Sequence, residues 1–239
     1  MKKLIAGLLL AATLFLEVGC MNTVQWNENT AEAAIAAVSE KYGREFTPFF
    51  YENSDYLSKT RKILCHAEGM DPEHEQVEIF LTPTEDGQLR ITDNYFSYFI
   101  RPAAEEYIGG MVGSEFPEYK VYRQGDDGAM PDELTGESTL EDLYRTRSDY
   151  WMSVKIYVRA DPTLTEEDYR EKMGRIERKL LESGRRFTIY LFAVSDEVYD
   201  SISRYEQDEF WSFFVRNPVP DGEKYFYLYN HIILDGEVK

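Results

Sequence analysis

The sequence predicts an α+β fold, in which helices cover antiparallel sheets. Strand-like runs follow one another directly in the first part of the chain, and the turn residues 85–88 connect two of them as a hairpin. Helical patterns then alternate with further strands, so hairpins and helix crossovers occur in the same chain. These elements form either two small modules or one continuous domain over 30–239.

The first predicted module covers 30–124 and begins with a helix over 30–42. Its apolar side chains recur at helical spacing, and Gly43 is suited to end it in a left-handed conformation. Residues 95–111 carry a helical apolar stripe that Pro102 interrupts, which predicts a bent helix or two short ones. The strands of this module are predicted at 46–51, 61–67, 76–82, 89–92 and 119–123. A helix followed by a curved antiparallel sheet resembles the element order of cystatin-like folds.

The acidic segment 125–142 is predicted to be a loop or linker. It has seven acidic residues, no Lys or Arg, and three turn-forming Gly and Pro residues after Gly125. At its end, Ser138-Thr139-Leu140-Glu141 fits a capping box that starts a short helix to about Thr146. The second predicted module, 143–239, continues with a strand at 151–159, a helix between Thr165 and Ser183, a strand at 187–194, a short helix at 196–204, an element of undecided type at 210–215 and a strand at 224–234.

Residues 1–19 are predicted to be a signal peptide for export. Two lysines give a basic start, and residues 4–16 form an uncharged, almost wholly apolar stretch. A membrane-spanning helix needs about 20 apolar residues, and Glu17 ends this run earlier. The polar residues 20–29 are suited to tether a folded part to a membrane.

The sequence Glu17-Val18-Gly19-Cys20 resembles the lipobox of bacterial lipoproteins, where Gly or Ala precedes a lipidated Cys that becomes the new N-terminus. Gly19 and Cys20 match, Val18 is acceptable, and Glu17 stands where the family has Leu. The resemblance implies lipidation of Cys20, palmitate included. The exported protein is then anchored in the cell membrane by its N-terminal lipid and faces away from the cytoplasm. The alternative is a soluble secreted protein, in which Cys20 is an ordinary thiol or is joined to Cys65.

The charge balance excludes one class of partner. The 239 residues have a formal charge of -18, and removal of 1–19 leaves 24 basic and 43 acidic residues, a charge of -19. Nucleic acids are bound mainly through Lys and Arg side chains that neutralise phosphates, so we expect no nucleic-acid partner. Anionic lipid does not attract such a chain by charge, so the membrane contact is expected through the lipid anchor.

Motifs for catalysis, metal binding or cofactor binding are absent from the sequence, so no catalytic residue, metal or cofactor is predicted. The chain has no phosphate-binding glycine loop and no Gly-x-Ser-x-Gly nucleophile elbow. The densest metal-capable residues are Cys65-His66 and Glu73-His74-Glu75. Neighbours on a strand point to opposite faces, which argues against joint chelation by Cys65 and His66. A carboxylate-based envelope hydrolase is the enzymatic alternative.

Aromatic residues make up 15% of the chain and occur in clusters. Consecutive aromatic residues cannot all face one core. The candidate ligand-binding residues are therefore Tyr95, Tyr98, Trp211 and Tyr227, since exposed rings stack on sugars or partner proteins. The other interpretation is that these rings pack in the core, because aromatic residues have a high strand propensity. The predicted function is a non-catalytic, membrane-anchored module that binds a protein or small ligand, with carbohydrate binding as an alternative.

Overall fold

The computed structural model describes residues 28–52, 59–124, 128–205, 227–234 and 237–238, with side chains described between 30 and 205. The predicted α+β class is confirmed, because the elements form two sheets accompanied by helices. The chain divides into two compact units, Met1–Asp93 and Asn94–Lys239. Each unit contains one of the sheets.

The first unit consists of one helix and a four-stranded antiparallel sheet. The elements are α1 (Glu28–Tyr42), β1 (Phe46–Glu52), β2 (Arg61–Ala67), β3 (Val77–Pro83) and β4 (Leu89–Asp93), and the strands pair in sequence order. Alternate residues of β2 and β3 are buried, as a sheet with one covered face requires. The helix α1 packs against β1 and β3, with Ala34, Val38 and Tyr42 buried. We call the face of the sheet that α1 covers the inner face, and the opposite one the outer face.

A buried carboxylate ties the end of α1 to the end of β4. Asp93 is only 1% exposed, and it accepts a hydrogen bond from the Tyr42 hydroxyl at 2.9 Å and an ion-pair contact from Lys41 Nζ at 2.9 Å. A buried charge is tolerated only when it is paired and hydrogen-bonded. The three side chains therefore hold α1 against the sheet by a specific polar contact as well as by apolar packing.

The strand β1 contains one residue more than the stretch of β2 that it pairs with. Pro48 lies opposite Cys65 and Phe50 lies opposite Leu64, so Phe49 has no residue opposite it. Such an extra residue is a β-bulge, which interrupts the alternation of faces. Since Cys65 is buried on the inner face, Leu64 and His66 belong to the outer face, and the bulge brings both Phe49 and Phe50 to that face.

The second unit contains the remaining elements around a mixed sheet. They are α2 (Tyr95–Phe99), α3 (Arg101–Val112), β5 (Tyr119–Arg123), α4 (Leu140–Thr146), β6 (Trp151–Arg159), α5 (Glu166–Glu182), β7 (Arg186–Val194), α6 (Asp196–Ser201), β8 (Tyr227–Leu234) and β9 (Glu237–Val238), with strand order β5-β6-β7-β8-β9. Only β6 and β7 are parallel, and α5 connects them. The two-helix outcome predicted around Pro102 is confirmed, and Pro102 lies in the first turn of α3, where its missing N–H costs no hydrogen bond.

The strand β6 is buried on both faces. The predicted apolar face is confirmed as buried, and its members are Met152, Val154, Ile156 and Val158. On the other face, Tyr157 stacks on Phe192 at 4.8 Å between ring centroids, in a cluster completed by Val194, Tyr199 and Ile202. The rings of Tyr157 and Phe192 are therefore core residues.

The edge strand β5 is covered by a carboxylate from α3. Glu105 accepts the backbone N–H of Arg123 at 2.8 Å, and it forms two 2.7 Å contacts with the guanidinium of Arg204. A bidentate Arg–carboxylate pair fixes the position of both groups. We call this arrangement the Glu105 latch.

The sequence predicted a boundary between modules at 124, whereas the structure divides the chain after residue 93 and pairs β5 with β6. The described part of the acidic segment before α4, 128–139, belongs to the second unit, and Met130 and Leu134 are buried there. The capping box before α4 is shifted by one residue, with Thr139 as the cap and Asp142 as its partner. The segments 1–27 and 210–215 lie outside the described residues. No helix in the described part of the chain has the length and apolar character needed to cross a bilayer.

Tyr42→Phe tests the polar contact at Asp93. Because a hydrogen bond to a charged group contributes about 1.5–3 kcal/mol, we expect the free energy of opening of the first unit to fall by about that amount. Hydrogen exchange of the β2 and β3 amides, read by mass spectrometry, measures this change. Tyr51→Phe, at an exposed position of the same unit, is the control and should leave exchange unchanged. Equal protection in both variants would contradict a stabilising role for the Tyr42 hydroxyl.

Candidate functional site

Three exposed aromatic residues in a row distinguish β1 from the other described strands. Phe49, Phe50 and Tyr51 are 48%, 52% and 56% exposed, and Trp151 in the second unit is the other large apolar side chain found exposed among the described residues. Contiguous exposed apolar surface is uncommon on soluble proteins and marks binding sites. The bulge places two of these three rings on the outer face of the first sheet.

A pocket of about 370 Å³ opens beside Phe49. We call it the Phe49 pocket. Its lining comes from β1, from β2 and from the loop between β2 and β3, and consists of Phe49, His66, Pro72, Glu73, His74, Glu75 and Gln76. The Phe49 ring stacks on the His66 ring, with 4.3 Å between centroids and 14° between planes. This volume lies at the small end of the range for ligand sites, which is about 300–1,000 Å³.

The loop that forms one wall of the pocket is organised by Asp71. The backbone N–H groups of His74 and Glu75 donate to the carbonyl of Asp71, and the N–H of Glu73 donates to its carboxylate at 2.9 Å. This side-chain-to-backbone pattern is the turn geometry that Asp favours. This turn fixes the conformation of the loop backbone and thereby the positions of its side chains along the pocket wall.

Hydrogen-bond partners determine which nitrogen of each imidazole carries the proton. His66 Nδ1 lies 3.0 Å from the carbonyl oxygen of Glu75, and His74 Nδ1 lies 3.0 Å from a carboxylate oxygen of Asp71. The hydrogen bond from the Glu73 amide and the His74 contact lower the pKa of Asp71, so its carboxylate is ionised and only accepts. Both Nδ1 atoms therefore donate.

The electrostatic character of the pocket is acidic. Two of its lining residues, Glu73 and Glu75, are acidic, and none is a Lys or Arg. Gln76 adds an amide group to the same wall. The only charges that carboxylates and amides bring to this wall are therefore negative.

The thiol next to this pocket is chemically separated from it. Cys65 precedes His66 in β2 but is fully buried on the inner face, as strand alternation requires. Burial raises the pKa of the Cys65 thiol to about 12. It is therefore a core side chain, and neither a nucleophile nor a metal ligand for the pocket.

The side chains around the pocket include two imidazoles and two carboxylates, groups that can act as acids, bases or nucleophiles as well as bind. None of the lining side chains is a Ser, Thr, Cys or Lys. The structure brings His66 together with Glu73, His74 and Glu75, all of which the sequence marked as metal-capable. Within the described ranges, however, no group of three or more His, Cys, Asp or Glu side chains converges as a metal site would need.

The aromatic residues selected from the sequence lie elsewhere. Tyr95 is buried in α2 and Tyr98 is half-buried beneath the guanidinium of Arg101, at 4.8 Å from the ring centroid. These two therefore do not form a flat exposed surface. Trp211 lies outside the described residues, and for Tyr227 the structure describes only the backbone, in β8. Lipidation of Cys20 likewise concerns a residue outside the described ranges.

Comparison with known proteins adds one distant structural likeness. Neither a protein-family model nor a curated protein matches the chain. The crystal structure of a DUF5037 family protein from Ruminococcus gnavus ATCC 29149 is 17% identical, with a TM-score of 0.45 over 87% of this chain and 92% of that one. A likeness at this level carries no information about function.

Phe49, Pro72 and Gln76 are the pocket residues that the sequence analysis did not identify. The run Phe49-Phe50-Tyr51 was the available signal, because three consecutive aromatic residues cannot all be buried by a strand with one covered face. Pro72 and Gln76 carry no comparable signal. Their role follows only from the way the loop folds against β1.

Alkylation kinetics test the environment of Cys65. In the full chain carrying Cys20→Ser, Cys65 is the only thiol. Since its pKa is raised from 9.0 to about 12, we expect iodoacetamide at pH 8 to react about a thousand times more slowly with native protein than with urea-unfolded protein. The native rate should keep rising up to about pH 11, whereas the unfolded rate levels off near pH 9. Similar native and unfolded rates would show an accessible thiolate.

Proposed function

We propose that this protein is an exported, lipid-anchored binding protein whose Phe49 pocket holds a small ligand or a side chain of a partner protein. The exposed Phe49 at the mouth of an acidic pocket is the observation that carries the binding part of this proposal. The proposed anchor is a lipid on Cys20, after removal of 1–19.

The N-terminal part of the proposal rests on the sequence. A basic start, a short apolar stretch and Gly19-Cys20 occur in the order of a lipoprotein signal. Residues 20–29 provide a polar tether before α1. A chain with a charge of -19 gains no attraction to anionic lipid, so a covalent lipid supplies the affinity for the membrane.

The binding part rests on an arrangement that costs stability. Two phenylalanine rings on the outer face forgo the free energy that burial of each would provide, on the order of 1.5–3 kcal/mol per ring. Phe49 also sits beside a pocket wall whose polar atoms are set by the Asp71 turn. A rigid ring next to fixed polar groups is the composition of a binding site.

The exposed Phe49 ring favours binding. A carboxylate-based hydrolase is the enzymatic alternative, and Glu73 and Glu75 are the lining carboxylates that such a mechanism would have to use. Carbohydrate binding is the second binding candidate, since the exposed Phe49 ring could stack on a sugar.

Cys20→Ser tests the anchor. We expect the variant to move from the membrane fraction to the soluble fraction and to lose incorporation of labelled palmitate, because Cys20 is the proposed acceptor. Cys65→Ser is the matched control and should stay in the membrane fraction, since that thiol is buried in β2. Retention of the Cys20→Ser variant in the membrane as an uncleaved precursor would instead indicate an N-terminal helix anchor.

A photo-crosslinking residue at position 50 tests the binding surface. We expect p-benzoylphenylalanine in place of Phe50 to yield adducts in intact cells, and Glu73→Gln in the same chain to reduce them. The same photo-crosslinking residue in place of Trp151, which is also exposed but belongs to the second unit, is the control. Equal adduct yields at positions 50 and 151 would contradict a specific role for the outer face.

A further inference from the structure

We infer that the buried guanidinium group of Arg123 binds a small monovalent anion, of the size of chloride, together with the hydroxyl group of Tyr144. Both side chains belong to the second unit, so this site is separate from the Phe49 pocket and independent of the function proposed for it. The site follows from two unused hydrogen-bond donors and from a buried positive charge that contacts no carboxylate among the described residues.

The first donor belongs to Arg123, which ends β5 and is only 3% exposed. The two terminal nitrogens of this side chain donate to neutral acceptors, which are the carbonyl of Ser97 at 2.9 Å and the hydroxyl of Tyr150. The Nε–H group is shielded from solvent and has no acceptor within the described ranges. Since a guanidinium group stays protonated in proteins, the core of the second unit contains a permanent positive charge.

The carboxylate that lies closest along this strand edge is already neutralised. Glu105 accepts the backbone N–H of Arg123, and its two oxygens contact the guanidinium of Arg204 at 2.7 Å each. Such a bidentate pair uses the charge of the carboxylate for Arg204. A buried charge without a partner is strongly destabilising, so an anion at Arg123 would stabilise the second unit.

The tyrosine rings beside this strand end also carry an excess of positive charge. Three guanidinium groups lie over them, with 4.6–5.9 Å between guanidinium carbon and ring centroid, and they belong to Arg123, Arg147 and Arg185. Arg147 contacts the carboxylate of Asp149, and Arg185 contacts that of Glu141. In the part of the chain that the structure describes, Arg123 is therefore the member of this group that lacks a carboxylate.

Tyr144 supplies the second unused donor. Its hydroxyl is shielded from solvent and forms no hydrogen bond to any described residue. Burial raises the pKa of this hydroxyl above its usual range, although the charges of Arg185 and Arg123 act to lower it, so the group is protonated and can donate. The Tyr144 ring meets the Tyr150 ring edge-on at 5.8 Å between centroids, and Arg123 contacts the Tyr150 hydroxyl. Both unused donors therefore belong to one cluster.

The properties of this cluster select the class of ligand. A water molecule could accept both hydrogen bonds, but it would leave the buried charge uncompensated. Sulfate and phosphate bring more charge and more oxygen acceptors than the two shielded donors can satisfy. A halide ion accepts hydrogen bonds from any direction and neutralises one positive charge. The formal charge of -18 repels anions from the surface, so the affinity has to come from the buried guanidinium.

Replacement of gluconate by chloride at constant ionic strength tests the site in the full chain carrying Cys20→Ser. Gluconate is also monovalent, but it is too large to reach shielded donors. At a chloride concentration ten times the dissociation constant, we expect amide hydrogen exchange in β5 and β6 to slow about tenfold, because the ion binds only the folded state. The effect should saturate as binding at one site does. In crystals grown with bromide, an anomalous scattering peak should lie within hydrogen-bond distance of Arg123 Nε.

Three variants separate this site from a general salt effect. Tyr144→Phe keeps the ring and removes the hydroxyl, so chloride binding should weaken about tenfold, the loss expected for one hydrogen bond to an ion. Arg123→Met should abolish the saturable chloride effect. Tyr119→Phe removes a hydroxyl at the other end of β5 and should leave the chloride affinity unchanged. If Arg123→Met does not fold, the comparison of the two tyrosine variants decides.

Several outcomes would overturn the inference. Equal exchange rates in chloride and gluconate would indicate that water satisfies the two donors. A chloride effect that rises without saturation, or one of equal affinity in Tyr144→Phe and Tyr119→Phe, would indicate a general salt effect. Bromide peaks elsewhere but not at Arg123 would assign the ion to another place.

Discussion

One additional residue in β1 is the constraint on which the candidate site depends. Without a bulge at Phe49, strand alternation would send Phe49 and Phe50 to opposite faces, and one ring would have to enter the inner face beneath α1. The bulge brings both rings to the outer face and sets the Phe49 ring parallel to that of His66. Since His66 is held in turn by the Glu75 carbonyl, the ring, the imidazole and the loop form one connected wall.

Most of the fold could be predicted from the sequence because local signals and tertiary packing agree. The β2 strand at 61–67 and the β6 strand at 151–159 have the predicted bounds, and Thr165 begins α5 as its cap. The module boundary could not be predicted, since β5 has the same local pattern whichever sheet it joins. Its place is decided by pairing with β6, which is a long-range contact.

Less of the candidate site could be predicted, for reasons that concern two kinds of residue. The metal-capable side chains His66, His74 and the nearby glutamates could be recognised by residue type. The position of their loop beside β1 could not be predicted, because it depends on contacts between distant parts of the chain. Phe49 was missed because a bulge has no fixed sequence pattern. Tyr95 was predicted to be a surface residue, yet it is buried. It belongs to the short helix α2, and a helix directs some of several neighbouring aromatic side chains into the core.

The Glu105 latch has a consequence for the order in which the chain is made. Synthesis proceeds from the N-terminus, so β5 and α3 leave the ribosome long before Arg204, which lies 99 residues beyond Glu105. During that interval, the nascent chain has the carboxylate that caps the edge of β5 but not the guanidinium that fixes the carboxylate. An unguarded strand edge is a template for pairing between chains. Protection from aggregation is therefore weakest while the second sheet is still incomplete.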